Sequence, residues 1–251
     1  MISRLLSILS GGGGGTGGGC VAHNATMTGL YACAENNGCT ASGDSSHAEG
    51  DGSTASGFNA HAQNWNTQAA GVASSAHGFD TAATADLSLA AGSQAETLVQ
   101  TDFAHASGQF AERGDCQYRF HELRGETPGV APGETVKLRM GNNECDLRPG
   151  RVAAVTATVI VNRMGVGEAA AEFAHFVRRF VLRCSPGGNA TISTVREEND
   201  ILQGATFAGA SLLPEATGFD NTWSLTFALP ELVQANTRAI AHVEFVELLG
   251  S

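Results

Sequence analysis

Residues 58 to 78 read FNAHAQN, WNTQAAG, VASSAHG, and this seven-residue beat runs through ten consecutive blocks from His23 to Gly92. The fifth residue is alanine in nine successive blocks, Ala34 to Ala90, and the third is Ala, Cys, Ser or Thr in all ten. The seventh is glycine in seven blocks and otherwise Asn or Ala. So regular a period outranks local propensity as a guide to fold. A coiled coil fails, because its a and d positions need large aliphatics and each recurrent glycine costs a helix about 1 kcal/mol. Collagen fails too, since glycine is not every third residue.

A short strand followed by a tight turn fits. Positions three and five leave the same face of a strand, and Gly or Asn at position seven supplies the positive φ of a sharp turn. Small residues at three and five let backbones approach closely, as in a solenoid. If two blocks make one coil, Phe58 stacks on Val72 and Trp65 on Phe79 at the corners. A coil lined only by Ala, Ser and Thr is too thin to stand alone. The pattern therefore predicts a homotrimer whose three-fold axis runs beside Ala41, Ala48, Ala55, Ala62, Ala69, Ala76, Ala83 and Ala90. After Gly92 the beat slips through SQAETLV and QTDFAHASG, which predicts the end of the roll and a neck.

The blocks SSHAEG, STASG and SSAHG resemble the head repeats of trimeric autotransporter adhesins, which recur in the shafts of bacteriophage tail-fibre proteins. The resemblance covers about residues 23–108. It implies a left-handed parallel β-roll, trimerised side by side.

Residues 109–251 have another character. Runs such as RVAAVTATVIVNRM, AEFAHFVRRFVLRC and TRAIAHVEFVELL alternate or are β-rich, with TPGVAPGE, RPG and SPGG between them. This predicts a neck and an antiparallel β-sandwich, giving an all-β chain. The order RVAAVTATVIVNR, FAHFVRR, NATIST, NTWSLTF and AIAHVEFVEL resembles a small β-sandwich at the tips of phage tail fibres, which implies a trimeric knob.

MISRLLSILS precedes GGGGGTGGG. Its apolar stretch is too short and interrupted for a signal peptide, and VAAVTATVIV is too short to span a bilayer. Residues 1–22 are expected to be a docking peptide on a flexible tether, with Ile2, Leu5, Leu6, Ile8 and Leu9 entering a groove of another virion protein. Residues 21–112 hold nine acids and no Lys or Arg, in a chain of net charge −11, which argues against nucleic acid as a partner. The six cysteines fit neither a zinc site nor a dense disulfide framework. Reduced thiols are expected, with disulfides as the alternative in oxidising surroundings.

Individual residues add little chemistry. His47 and His61 share a block position and should stack in successive coils, with His105 in a similar setting; hydrogen bonding is the expected role, not metal binding. No spaced carboxylates form a calcium loop. Ser46, His47, Glu49 and Asp51 alternate faces along a strand, so they are not a triad, and no enzyme, metal or cofactor is expected. Arg178, Arg179 and Trp223 form a candidate patch for sugar or anion, with trimer packing as the competing reading. The expectation is a structural, homotrimeric phage virion fibre, assembled in the host cytoplasm, anchored at its N-terminus without membrane insertion. Its C-terminal knob would meet host surface glycan or protein. The alternatives are a capsid decoration (head fibre or cement) trimer, a bacterial surface trimeric adhesin and a polysaccharide-cleaving tailspike.

Overall fold

The computed structural model describes residues 22–127, 135–138, 145–163, 172–203, 207–216, 222–229 and 237–249. The docking residues Ile2, Leu5, Leu6, Ile8 and Leu9 lie outside them. The described chain is all-β and divides into two compact units, Met1–Tyr118 and Arg119–Ser251.

The first unit is a β-solenoid of about six turns. Its long strands are β3 (Cys33–Asn37), β5 (His47–Asp51), β7 (His61–Trp65), β9 (Ser75–Phe79), β11 (Leu89–Ser93) and β13 (Phe103–Ser107), begun by β1 (Ala22–His23). Two-residue strands alternate with them: β2 (Thr26–Met27), β4 (Thr40–Ala41), β6 (Thr54–Ala55), β8 (Gln68–Ala69), β10 (Ala82–Ala83) and β12 (Glu96–Thr97). Two blocks make one coil. In parallel register Ala34 lies beside Ala48, Ala48 beside Ala62 and Ala62 beside Ala76.

The alanines correct one expectation. Ala41, Ala48, Ala55, Ala62, Ala69, Ala76, Ala83 and Ala90 are fully buried within a single chain, so they do not line a three-fold axis. The fifth position points inward from both long and short strands, and methyl groups from the two sides form one narrow core. Third-position hydroxyls share that interior, and two of them bond there: Thr67 Oγ1 donates to Ser53 Oγ at 2.9 Å, and Ser53 Oγ donates to the Asn64 carbonyl at 3.0 Å, whereas the Ser46 and Thr81 hydroxyls are buried without a partner.

Glycine at position seven meets two demands. Within the long strands, Gly50, Gly78 and Gly92 adopt φ of 116°, 116° and 96°, and a Cβ there would also press on the carbonyl oxygen of the next coil. After the short strands, Gly43 and Gly57 need no positive φ. A Cβ there would sit 2.0 Å from the carbonyl oxygen of Gly57 or Gly71 in the next coil. The second position of every block is also left-handed, from Asn24 through Tyr31, Gly38, Ser45, Gly52, Asn59, Asn66, Ala73, Asp80 and Leu87 to Gln94 and Thr101. Its varied side chains hide this turn position from a reading by residue type.

The roll also continues past Gly92. β13 pairs in register with β11 from Leu89↔Phe103 to Ser93↔Ser107. In this added coil Thr97 takes the alanine position and Asp102 the small-residue position, both buried. Asp102 is tolerated because its carboxylate accepts the Leu98 amide at 3.0 Å. The following turn is tied by Asp115, which accepts the amides of Phe110, Ala111 and Glu112.

The second unit contains β14 (Cys116–Thr127) from Arg119 onward, β15 (Thr135–Leu138), β16 (Cys145–Asp146), β17 (Arg151–Arg163), β18 (Phe173–Cys184), β19 (Ala190–Gln203), β20 (Ser211–Ala216), β21 (Thr222–Ala228) and β22 (Thr237–Leu249). One sheet runs β14-β22-β17-β18-β19, and β15, β16 and β20 pair with β21 in another. Along β18, Ala174, Phe176, Arg178, Phe180 and Leu182 face inward, while Arg179 and Arg183 are exposed. Phe176 meets Phe227 at 5.9 Å between ring centroids, and Trp223 lies between Phe180 and Phe245 at 5.5 and 5.6 Å. These rings join the two sheets into one core, because alternation gives each strand a single apolar face.

Candidate functional site

Arg178, Arg179 and Trp223 are not assembled into a surface patch. Trp223 is fully buried, and Arg178 is 1% exposed. The Arg178 guanidinium donates to both Asp200 carboxylate oxygens at 2.5 and 2.8 Å, and its Nε donates to the Leu212 carbonyl at 2.9 Å. Arg179, on the opposite face of β18, pairs with Glu198 at 3.0 Å. Trp223 and Arg178 are therefore packing residues, as period-two alternation requires.

A second buried polar group joins Arg119, His121 and Glu247. Arg119 pairs with Glu247 and donates to His121 Nε2 at 3.2 Å. A guanidinium only donates, so His121 Nε2 must accept and the ring proton sits on Nδ1. Burial first, and the Arg119 charge second, hold the His121 pKa well below 6.5. The group braces the interior and opens to no ligand.

The roll surface carries more accessible chemistry. On the outer face of the long strands, His47 and His61 stack at 5.0 Å with rings 2° apart, as their shared block position requires. Their Nε2 atoms lie 3.8 Å from Glu35 and 3.7 Å from Glu49. His77, which the block pattern did not single out, meets His61 edge-on at 5.3 Å and bonds Gln63 at 2.9 Å. Burial and neighbouring His61 lower the His77 pKa, against an opposing pull from Glu49. Cys33, Glu35 and His47 bring three donor atoms within 4.8 Å of one another. Cys33 is disulfide-bonded, however, and offers no thiolate. Cys39, Cys116 and Cys184 are free thiols, and burial raises the pKa of Cys39.

The corner after the long strands forms a continuous column: Asn37, Asp51, Trp65, Phe79 and Ser93 are register partners in successive coils. Trp65 and Phe79 stack at 4.4 Å with rings 11° apart, and each is 47% exposed. Beside them Asn66 donates to Asp80 at 2.8 Å, and Arg113 pairs with the same carboxylate. On the other side Asn37 donates to Asp51 at 3.1 Å. Exposed aromatic faces bordered by fixed carboxylate and amide groups can hold a small polar ring by stacking and hydrogen bonds. The opposite corner column runs Leu30, Asp44, Phe58, Val72 and Asp86 through successive coils, and its three apolar members are 45–51% exposed.

No protein-family model and no curated protein matches this chain. Among solved structures, the chain is similar to the Acinetobacter baumannii phage AM24 tailspike protein at 11% identity and a TM-score of 0.31, over 88% of this chain and 47% of that one. It is also similar to the tailspike of Acinetobacter phage vB_ApiP_P1, at 11% identity and a TM-score of 0.28, over 89% and 47% of the two chains. A third is tailspike gp49 of the Acinetobacter baumannii bacteriophage Fri1, at 9% identity and a TM-score of 0.27, over 90% and 42%. The chain thus spans less than half the length of each tailspike. The last is described as a capsular polysaccharide depolymerase, which corrects the expectation that this chain is not an enzyme. That exclusion rested on the alternating faces of Ser46, His47, Glu49 and Asp51 and is withdrawn.

Proposed function

We propose that the chain is a homotrimeric fibre or spike of a bacteriophage virion, held at its N-terminus by another virion protein and serving attachment to the host surface. The roll is the stalk, and the second unit is the outward β-sandwich knob. The observation that carries this reading is the half-exposed pair Phe58 and Val72, neighbours in successive coils along one corner of the solenoid. An apolar step at the coil spacing matches the same step on a sister chain in register. Covering each half-exposed side chain contributes about 1 kcal/mol. Ile160, Ile240, Val246 and Leu248, 46–55% exposed on one face of the second unit, extend the same demand. In this reading the trimer seam runs along large corner side chains, and the alanines stay inside each protomer.

The test is the mass in solution. A trimer of 25.8 kDa chains elutes with a light-scattering mass near three times that value. Phe58→Asp combined with Val72→Asp should lower it. A stable monomer carrying the native sequence would overturn the proposal. Imaging of the particle should then trace the segment before Ala22 into a tail or capsid protein.

A further inference from the structure

The corner column of the roll is an aromatic ladder with a missing rung. Phe79 covers one face of Trp65, and the coil on the other side presents Asp51 and Gly52. Asp51 is too short to reach over an indole, and its carboxylate is turned away to accept the Asn37 amide at 3.1 Å. Gly52 adds nothing: a Cβ built there would find only Asn66 Oδ1, at 4.0 Å. The second face of Trp65 therefore meets open space with the width of one coil, about 4.8 Å. A flat ring fits that spacing, as Phe79 does on the other side.

We propose that this step is a binding site for a pyranose without negative charge, either neutral or an amino sugar. The C–H face of a pyranose stacks on an exposed indole, and its hydroxyls need fixed polar partners at the ring edge. The Asp51 carboxylate has an oxygen open to a hydroxyl, and the Asn37 amide that bonds it holds it in place. Charge selects the class. Glu49, Asp51 and Asp80 lie at or beside the corner, residues 21–112 contain no Lys or Arg, and nearby Arg113 is paired with Asp80. Uronates, sialates and phosphorylated sugars are repelled, whereas the ammonium of an amino sugar gains from both the carboxylate and the indole face. The site lies within the roll, on the corner away from the proposed trimer seam, and it stands whether or not the chain belongs to a virion.

Trp65 reports on its own site, because the other tryptophan, Trp223, is fully buried. The intact protein is titrated with tetrasaccharides of glucose, N-acetylglucosamine, glucosamine and galacturonate, followed by tryptophan fluorescence and by saturation transfer to the sugar protons. Acrylamide should quench Trp65 in the free protein. At least one uncharged or amino tetrasaccharide should bind, shield Trp65 from acrylamide and outcompete galacturonate by tenfold or more. Trp65→Ala should weaken binding at least tenfold, Trp65→Phe should retain part of it, and Asp51→Ala should weaken it severalfold with the circular dichroism spectrum unchanged. Binding that survives Trp65→Ala, preference for galacturonate, a free protein whose Trp65 resists acrylamide, or no binding by any of the four sugars would each overturn the site.

Discussion

Replacing Gly57 with alanine tests whether glycine spaces the coils. Gly57 does not need a positive φ, so the change carries no left-handed strain. Its new Cβ would stand 2.0 Å from the Gly71 carbonyl oxygen and 2.9 Å from that of Ala70. The first distance is far inside van der Waals contact, and both obstacles are backbone. To relieve it the coils must part by more than 1 Å, roughly, at a point where neighbours are already fixed. There the Ser56 amide donates to Ala69 at 2.9 Å and the Gly57 amide to the same carbonyl at 3.2 Å. Losing or stretching two such bonds costs about 1 kcal/mol each, and overpacking adds about 1–3 kcal/mol, for roughly 3–5 kcal/mol in all. Gly52→Ala is the control. Its φ of +69° makes alanine strained, but its nearest neighbour is 4.0 Å away, so the cost is about 1 kcal/mol. Urea unfolding by circular dichroism at one fixed protein concentration gives both values, and hydrogen exchange at the amides of Ser56 and residue 57 should rise in Gly57→Ala alone. Equal costs for the two variants, or a cost under about 1 kcal/mol for Gly57→Ala, would refute the close-approach argument.

Asp200→Ala strips the buried Arg178 of its bidentate partner and should destabilise the second unit by about 3 kcal/mol, whereas Arg179→Ala on the exposed face should change stability by less than about 0.5 kcal/mol in the same denaturation assay. Acidification should weaken the fold. The folded pKa of His121, and to a lesser degree of His77, lies below 6.5, so the unfolded chain binds more protons once the pH falls under that value. Stability is therefore flat above about pH 7 and declines as pH drops through and below about 6.5. His121→Gln, which keeps an acceptor for Arg119, should flatten the decline; a urea midpoint that rises on acidification would contradict the assignment.

The sequence by itself determined the local conformation. A seven-residue period of small residues and turn formers allows strand and turn and forbids helix, because those constraints act within a few bonds. The same locality made the stacking of His47 on His61 and of Trp65 on Phe79 legible, since residues at one block position recur at one place in the coil. Alternation along β18 likewise put Arg178 and Arg179 on opposite faces. Only the tertiary structure decided what each face meets. Nothing local states whether an alanine methyl opposes another methyl of its own chain or a sister chain, and it opposes its own. Nor does a pattern of residue types show that Thr97 and Asp102 can stand in for alanine and serine in one more coil, because that depends on the folded turn aiming the Leu98 amide at the buried Asp102 carboxylate. Glycine shows the division most plainly: its recurrence fixes where the chain turns, but the carbonyl that excludes a Cβ belongs to the residue fourteen positions on, in the next coil.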